Sequence, residues 1–593
     1  MNNSRTAIEA AKNSLHKLLS ELSVGQVVVI DDFFEKDFDH ETLIGWLSNP
    51  ELEIPAAISR KFEELDFSNP EVWKMQFIGF WNNLDADQKR DIALFVSELL
   101  GKSLEDDRKI DQNLSALFGE KVVCLSPSEW IEKKEEYFQK TNDKEKLFCI
   151  FDQDLSLSKG FTSEGSRSGV GLIQDVKGNL PDISICCLLT HTIPSIDQEM
   201  EHWRKLSLSV GLELREFIPL AKVRLSSDNS PSIFVDGIKK AALNRYFEDL
   251  KRVTETIIQE SNKNAIKEFQ EIDPYDFDAI VLESSKNEGS WEPDALLRIY
   301  QIIHRDQILS GFFNPETLLK IKDNVLNARK ISSVTLDGVV KNYPQLRPLR
   351  RKELFQDSTL LSHSPLEVGD IFRVGDANKW YVLIGQPCDL MMRETGFRKN
   401  KLAGLIKVER REKAGFDKWK SKSPDKIAGF WKTHAELDYF FESTKYLAIV
   451  SFEEELTVSL DMLDLAVLNE NGRCSININE PLDIPYYLTE GWSQRLTSLA
   501  QYYKSLHENL TEYEKGLSDV SENLKPILWK ALMPKMTLTQ SPLPETPYMA
   551  GYFNFQLTRI ARYRQPWASR LLSLYSSYLS RDADDVDFVK FSA

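Results

Sequence analysis

Five polar side chains stand at or just after the ends of short apolar runs in the first part of the chain. Asp31 and Asp32 follow VVVI (27–30), and Asp152 follows LFCIF (147–151). Thr190 closes ISICCLLT (183–190), and Lys222 comes just after FIPL (217–220). If these runs are strands of one parallel sheet, their ends open on one edge, and three carboxylates, a hydroxyl and an ammonium converge on a shallow pocket. Three close carboxylates repel one another unless a divalent cation sits among them. Hard oxygen ligands suit Mg²⁺, which keeps several of its waters. One carboxylate can then attack a phosphoryl group while the cation, Lys222 and Thr190 offset the charge developing on its oxygens. The expected product is an aspartyl phosphate.

The elements that must position these groups are legible as short, β-branched apolar runs separated by polar or helical stretches. VVVI, VVCL (122–125), LFCIF, ISICCLL (183–189) and FIPL each read as a buried parallel strand. GVGLIQDVKG (169–178) has helical apolar spacing, and residues 196–213 read as an amphipathic helix. Strands alternating with helices predict a multidomain α/β chain whose residues 1–232 form a doubly wound, five-stranded parallel sheet of the flavodoxin-like kind. The first crossover is enlarged: about 35–119 is long, acidic and Trp-rich, with helix-like pieces such as PEVWKMQFIGFWNNL, and predicts a helical insertion. Beyond it the patterns predict an α-helical spacer over 233–345, a β-rich, barrel-like module over 346–484 and C-terminal helices over 485–593. Two helical patterns lie in that last stretch, at 491–517 and 554–580.

Composition bounds the function. The 593 residues carry 74 Lys plus Arg against 91 Asp plus Glu, a net charge of -17, which argues against attraction of the whole molecule to nucleic acid or an anionic membrane. ISICCLLT is the longest apolar run and is far short of the roughly 20 residues that cross a bilayer. The N-terminus lacks the apolar core of a signal peptide. The six cysteines show no CxxC pair and no disulfide-scaffold density, so they read as reduced, structural thiols in a cytoplasmic chain.

With these residues in this order, the stretch from about Gly25 to Leu225 resembles the receiver domain of two-component response regulators. VVVIDDFF resembles that family's first strand with its acidic metal ligands, here Asp31 and Asp32. LFCIFDQDLS resembles its third strand, which makes Asp152 the phosphoacceptor and puts Asp154 where the family lends a backbone carbonyl to the metal. CCLLTH resembles the fourth strand with Thr190 as the switch hydroxyl, and FIPLAK puts Lys222 at the family's lysine. The resemblance implies Mg²⁺ as cofactor, a histidine kinase as partner and a phosphorelay role in signal transduction. Departures from the family pattern are Val223 in place of the proline after the lysine, Pro219 in place of the switch aromatic with Phe217 nearest, a long loop after Asp152, and the enlarged first crossover.

Weaker signals leave other readings open. Cys388 in IGQPCDLMM ends a run of strand character beside Asp389, with no histidine near it in sequence, and reads as a buried strand-end thiol of a β domain. Arg393–Lys432 holds thirteen Lys or Arg against five Asp or Glu, interleaved with Phe397, Phe416, Trp419, Phe430 and Trp431. That composition suits a phosphate-tracking groove with stacked bases, but the expectation is a solvated or internally docked face. There is no HExxH or Cys/His cluster and no GxxxxGK[ST], and His191 reads as a loop residue at the pocket rim. The alternatives are a pseudo-receiver adaptor of a bacterial antiviral defence system acting with an ATPase partner, and a nucleic-acid binder through the basic β module.

Overall fold

The computed structural model describes residues 2–35, 40–48, 69–99, 113–180, 183–193, 195–213, 216–225, 231–339, 343, 345–375, 379–480, 488–516, 524–533, 536–537 and 548–580. The chain divides into two compact units, Met1–Lys263 with Asp306–Lys341 and Asn264–Arg305 with Asn342–Ala593.

The first unit is built on a five-stranded, all-parallel sheet of β1 (Val24–Ile30), β2 (Val122–Leu125), β3 (Lys146–Asp152), β4 (Ser184–Thr190) and β5 (Phe217–Ala221), in the order β2-β1-β3-β4-β5. The apolar runs are continuous because both sheet faces are covered. Val27, Val29, Phe148, Ile150, Cys187 and Leu189 face one core with Leu15, Leu18 and Phe234. Val28, Ile30, Cys149, Phe151, Cys186 and Leu188 face the other with Trp130, Leu172, Ile173 and Trp203. The first core is closed by α1 (Asn2–Glu21) and the start of α8 (Pro231–Gln270). The second is closed by α5 (Pro127–Lys140), α6 (Gly169–Asn179) and α7 (Glu199–Val210).

Of the insertion expected over 35–119, residues 36–39, 49–68 and 100–112 lie outside the described residues. The described part is helical: α2 (His40–Leu47), α3 (Pro70–Asn82) and α4 (Ala86–Leu99). Asn69 caps α3, its side chain accepting the Glu71 N–H at 3.1 Å, and Pro70 fits the first turn, whose N–H groups are unpaired in any case. Leu43, Leu47, Trp73, Phe77, Trp81, Ile92 and Val96 form a core of their own. After α8, the helices α9 (Glu292–Phe312) and α10 (Pro315–Ser332) continue the helical region.

The second unit carries an antiparallel sheet in the order β10-β11-β9-β8-β7-β15-β12. Its strands are β7 (Asp370–Val374), β8 (Trp380–Ile384), β9 (Leu402–Glu412), β10 (His434–Glu436), β11 (Tyr446–Ser459), β12 (Arg473–Asn477) and β15 (Tyr552–Tyr563). The short pieces β6 (Phe355–Asp357), β13 (Met536–Thr537) and β14 (Tyr548–Met549) pair with β15, β11 and β15 respectively. One expectation is corrected here. The helical pattern over 554–580 begins as strand β15, and helix follows only at Trp567–Leu579. Phe553, Phe555, Leu557, Arg559 and Ala561 alternate inward with period two. Arg559 and Arg562 are buried against Asp370, so charges that look like the polar face of a helix lie inside the sheet's core. At 491–517 the expected helix is present as Glu490–Gly516.

Candidate functional site

The chain leaves β1 for β2 on one side, and β3 lies on the other side of β1. The carboxyl ends of β1 and β3 therefore flank the switch point of the sheet, the position at which open α/β sheets commonly bind ligands. Asp31 and Asp32 follow β1 directly, and Asp152 ends β3. Each offers a carboxylate oxygen within 4.8 Å of the others. Lys222, in the turn after β5, places its Nζ 3.1 Å from Asp152 Oδ1 and 3.7 Å from Asp31 Oδ2, with only 2% of its side chain exposed.

Burial pushes the Asp32 carboxyl well above the usual carboxylate range, and the charges of Asp31 and Asp152 push the same way. The Leu157 N–H, which donates to Asp32 Oδ2 at 3.0 Å, and the Lys222 ammonium pull against them and do not prevail. Among the described residues, Lys222 is the ammonium that faces the three carboxylates. A hard divalent cation fits this donor set, because oxygen anions gathered this closely are its preferred ligands and it would offset the repulsion that Lys222 leaves.

Each strand end is positioned by its own local device. Phe33 N–H donates to Asp31 Oδ1 at 2.9 Å, starting the short 3₁₀ turn Asp32–Phe34. Gln153 N–H donates to Asp152 Oδ1 at 2.9 Å. Helix α6 starts against the end of β3: Ser168 caps it by accepting the Gly171 N–H, and a Cβ on Gly169 would lie 1.9 Å from the Asp152 carbonyl oxygen. Only glycine allows that approach. The turn bearing Lys222 is held by a buried clamp in which Glu199 Oε1 accepts from Ala221 N–H at 3.0 Å and Arg224 Nε at 2.6 Å, and Oε2 accepts from Arg224 Nη2 at 2.6 Å. A bidentate pair of this kind fixes direction as well as distance.

Thr190 ends β4, buried, and its hydroxyl oxygen accepts the Thr192 N–H at 3.0 Å and lies 2.7 Å from Thr192 Oγ1. Thr192 Oγ1 lies in turn 3.4 Å from Gln153 Oε1 and 3.4 Å from His202 Nε2. The hydroxyl is thus tied to the loop after Asp152 through Thr192 and Gln153. The Asp154 carboxylate accepts the Ser156 N–H at 3.1 Å, and the triad of close carboxylates consists of Asp31, Asp32 and Asp152. His191 is exposed. Sequence reasoning did not single out Gly169, Leu157, Thr192 or the Glu199–Arg224 clamp. The only signals were a glycine at a helix start and a Thr-x-Thr step, both common at turns.

The expectation of a buried strand-end thiol at Cys388 is corrected: β8 has already ended at Ile384, and Cys388 lies exposed in the short helix Pro387–Leu390, with Sγ 3.7 Å from Gln386 Oε1. The basic stretch runs along β9 into the helices Lys413–Lys422 and Pro424–Thr433. There the rings of Phe416, Trp419, Phe430 and Trp431 pack on one another at centroid distances of 5.0–6.0 Å, and the His434 ring stacks on Phe430 at 4.1 Å. Among the described residues no helix is long and apolar enough to cross a membrane. No protein-family model, no curated protein and no solved structure matches this chain.

Proposed function

We propose that residues 1–232 are a receiver-like domain of the flavodoxin-like class, in which Asp152 accepts a phosphoryl group and the conformational consequence passes to the rest of the chain. The observation that carries this reading is the meeting of Asp31, Asp32 and Asp152 within 4.8 Å, with Lys222 Nζ 3.1 Å from Asp152 Oδ1. The strand order β2-β1-β3-β4-β5 is one of the two common doubly wound orders, and the acceptor stands at its switch point.

In this reading a carboxylate oxygen of Asp152 attacks the phosphorus of a small or histidine-borne phosphodonor. The new O–P bond forms as the donor's bond to phosphorus breaks, and the leaving group departs with that electron pair. Lys222, fixed by the clamp beneath it, meets the oxygens of the incoming group with an ammonium that is already desolvated. Asp31 and Asp32, with a backbone carbonyl at Asp154, would hold Mg²⁺, whose charge counters the repulsion between the carboxylates and the phosphoryl oxygens when bound. The Thr190 hydroxyl has to leave Thr192 to reach a phosphoryl oxygen, which makes the β4 loop the first element to respond. A histidine kinase is the matching donor protein. None of the six cysteines is in a disulfide, in keeping with a cytoplasmic location.

Treatment of the full chain with acetyl phosphate and Mg²⁺ tests the reading: intact-mass and peptide analysis should show one phosphoryl group, on Asp152, and Asp152→Asn should abolish it. Labelling that persists in that variant would move the acceptor to another residue. Absence of labelling in the parent would leave a scaffold in place of a phosphoacceptor.

A further inference from the structure

The enlarged crossover touches the carboxylate site at two points, each of which already holds a proposed metal ligand. Arg90, on α4 of the insertion, donates from Nη2 to the Phe33 carbonyl at 3.2 Å, and its guanidinium lies 4.5 Å from the centroid of the Phe33 ring. Phe33 is the residue whose N–H fixes Asp31. Leu157, in the long loop after Asp152, donates its N–H to Asp32, and its side chain is buried in the insertion's own core among Leu43, Leu47, Trp73, Phe77 and Trp81. The insertion thus grips the backbone beside Asp31 from one side and the backbone beside Asp32 from the other.

We propose that the helical insertion reads the state of the carboxylate site, with Arg90 and Leu157 as the positioning residues that couple the two; this rests on the reading that the three carboxylates bind a divalent cation. The physical ground is close packing. Leu157 cannot shift its backbone to follow a movement of the Asp32 carboxylate without moving a side chain locked in a dense core, and such cores move as units. The grip on Phe33 adds a second tether, so a change in the β1 turn and one in the β3 loop reach the same three helices. Coupling of this kind is reciprocal: whatever the cation does to the insertion, the insertion does to the cation's affinity by the same factor.

Hydrogen exchange and calorimetry on the full chain test this. With Mg²⁺ and beryllofluoride, exchange in peptides covering His40–Leu47, Pro70–Asn82 and Ala86–Leu99 should slow by about 5-fold or more, the lower end of measured couplings. Arg90 is only partly buried, so Arg90→Ala should keep the fold, as judged by its unfolding midpoint, yet lose most of that slowing and bind Mg²⁺ more weakly by a similar factor. Arg90→Lys, which keeps a donor for the Phe33 carbonyl, should recover part of both. If the parent binds Mg²⁺ in the calorimeter while exchange in the insertion stays unchanged, the coupling is overturned and the metal site stands. If the parent binds no Mg²⁺, the metal reading falls and the coupling with it.

Discussion

Both units bury charge at the heart of a sheet, and they do so in opposite ways. In the second unit the buried carboxylates Asp370 and Asp464 each meet two arginines. Asp370 accepts from Arg562 Nε at 2.6 Å and from Arg559 Nη1 at 3.3 Å, and Arg559 also donates to the Leu361 and Ser364 carbonyls. Asp464 accepts from Arg398 Nη2 at 2.9 Å and Arg495 Nε at 2.8 Å. In the first unit three carboxylates share one lysine, and Asp32 is driven toward its protonated form. In the second unit the opposite charges offset one another within the core. Close carboxylates around one buried lysine, with Asp32 pushed toward its protonated form, are the arrangement a cation could relieve.

The difference can be broken or sharpened by removing single charges. The largest effect belongs to Asp370→Ala, which strands two buried arginines. It should destabilise the second unit by about 3–5 kcal/mol in chemical denaturation, and a loss below about 1 kcal/mol would mean the network is solvated in practice. Next is Gly169→Ala, whose Cβ would meet the Asp152 carbonyl oxygen at 1.9 Å. Forcing β3 and α6 apart should cost about 1–3 kcal/mol and abolish acetyl-phosphate labelling, whereas unchanged labelling would show that the acceptor tolerates movement of its strand end.

Asp32→Asn should act with the opposite sign to Asp370→Ala. The ionised Asp32 is disfavoured in the folded state, so in chelator the variant should be more stable than the parent at pH 7, by about 0.5–2 kcal/mol, while losing Mg²⁺ binding. The pH dependence follows from the same shift. The folded protein holds the Asp32 proton up to a higher pH than the unfolded chain does, so between the two pKa values this group makes stability fall as pH rises. The gap between variant and parent should therefore narrow on acidification, and a gap that widens would put the proton on another group. The smallest effect is expected at the basic helices. Lys418→Ala and Lys420→Ala alter exposed side chains and should shift stability by less than about 0.5 kcal/mol.

The sequence alone was enough to locate the first unit's strands and the polar residues at their ends. Runs such as VVVI and LFCIF are apolar on both faces, which only a sheet covered on two sides requires, and a carboxylate straight after such a run has to stand at the strand's exit. It could also place helices where a local period repeats, as at Pro70–Asn82 and Glu490–Gly516. What it could not decide is anything set by contacts distant along the chain. Strand β15 was hidden because Arg559 and Arg562 are buried against Asp370, nearly two hundred residues earlier, and a buried arginine reads as surface until its partner is known. Leu157 looked like an ordinary loop leucine until its N–H met Asp32 and its side chain met Trp73 and Trp81, and Gly169 looked like a turn glycine until β3 came within 1.9 Å of its missing Cβ. Local pattern encodes which face of an element is apolar, but partners for buried charge and room for backbone are properties of the assembled unit, so only tertiary structure could assign them.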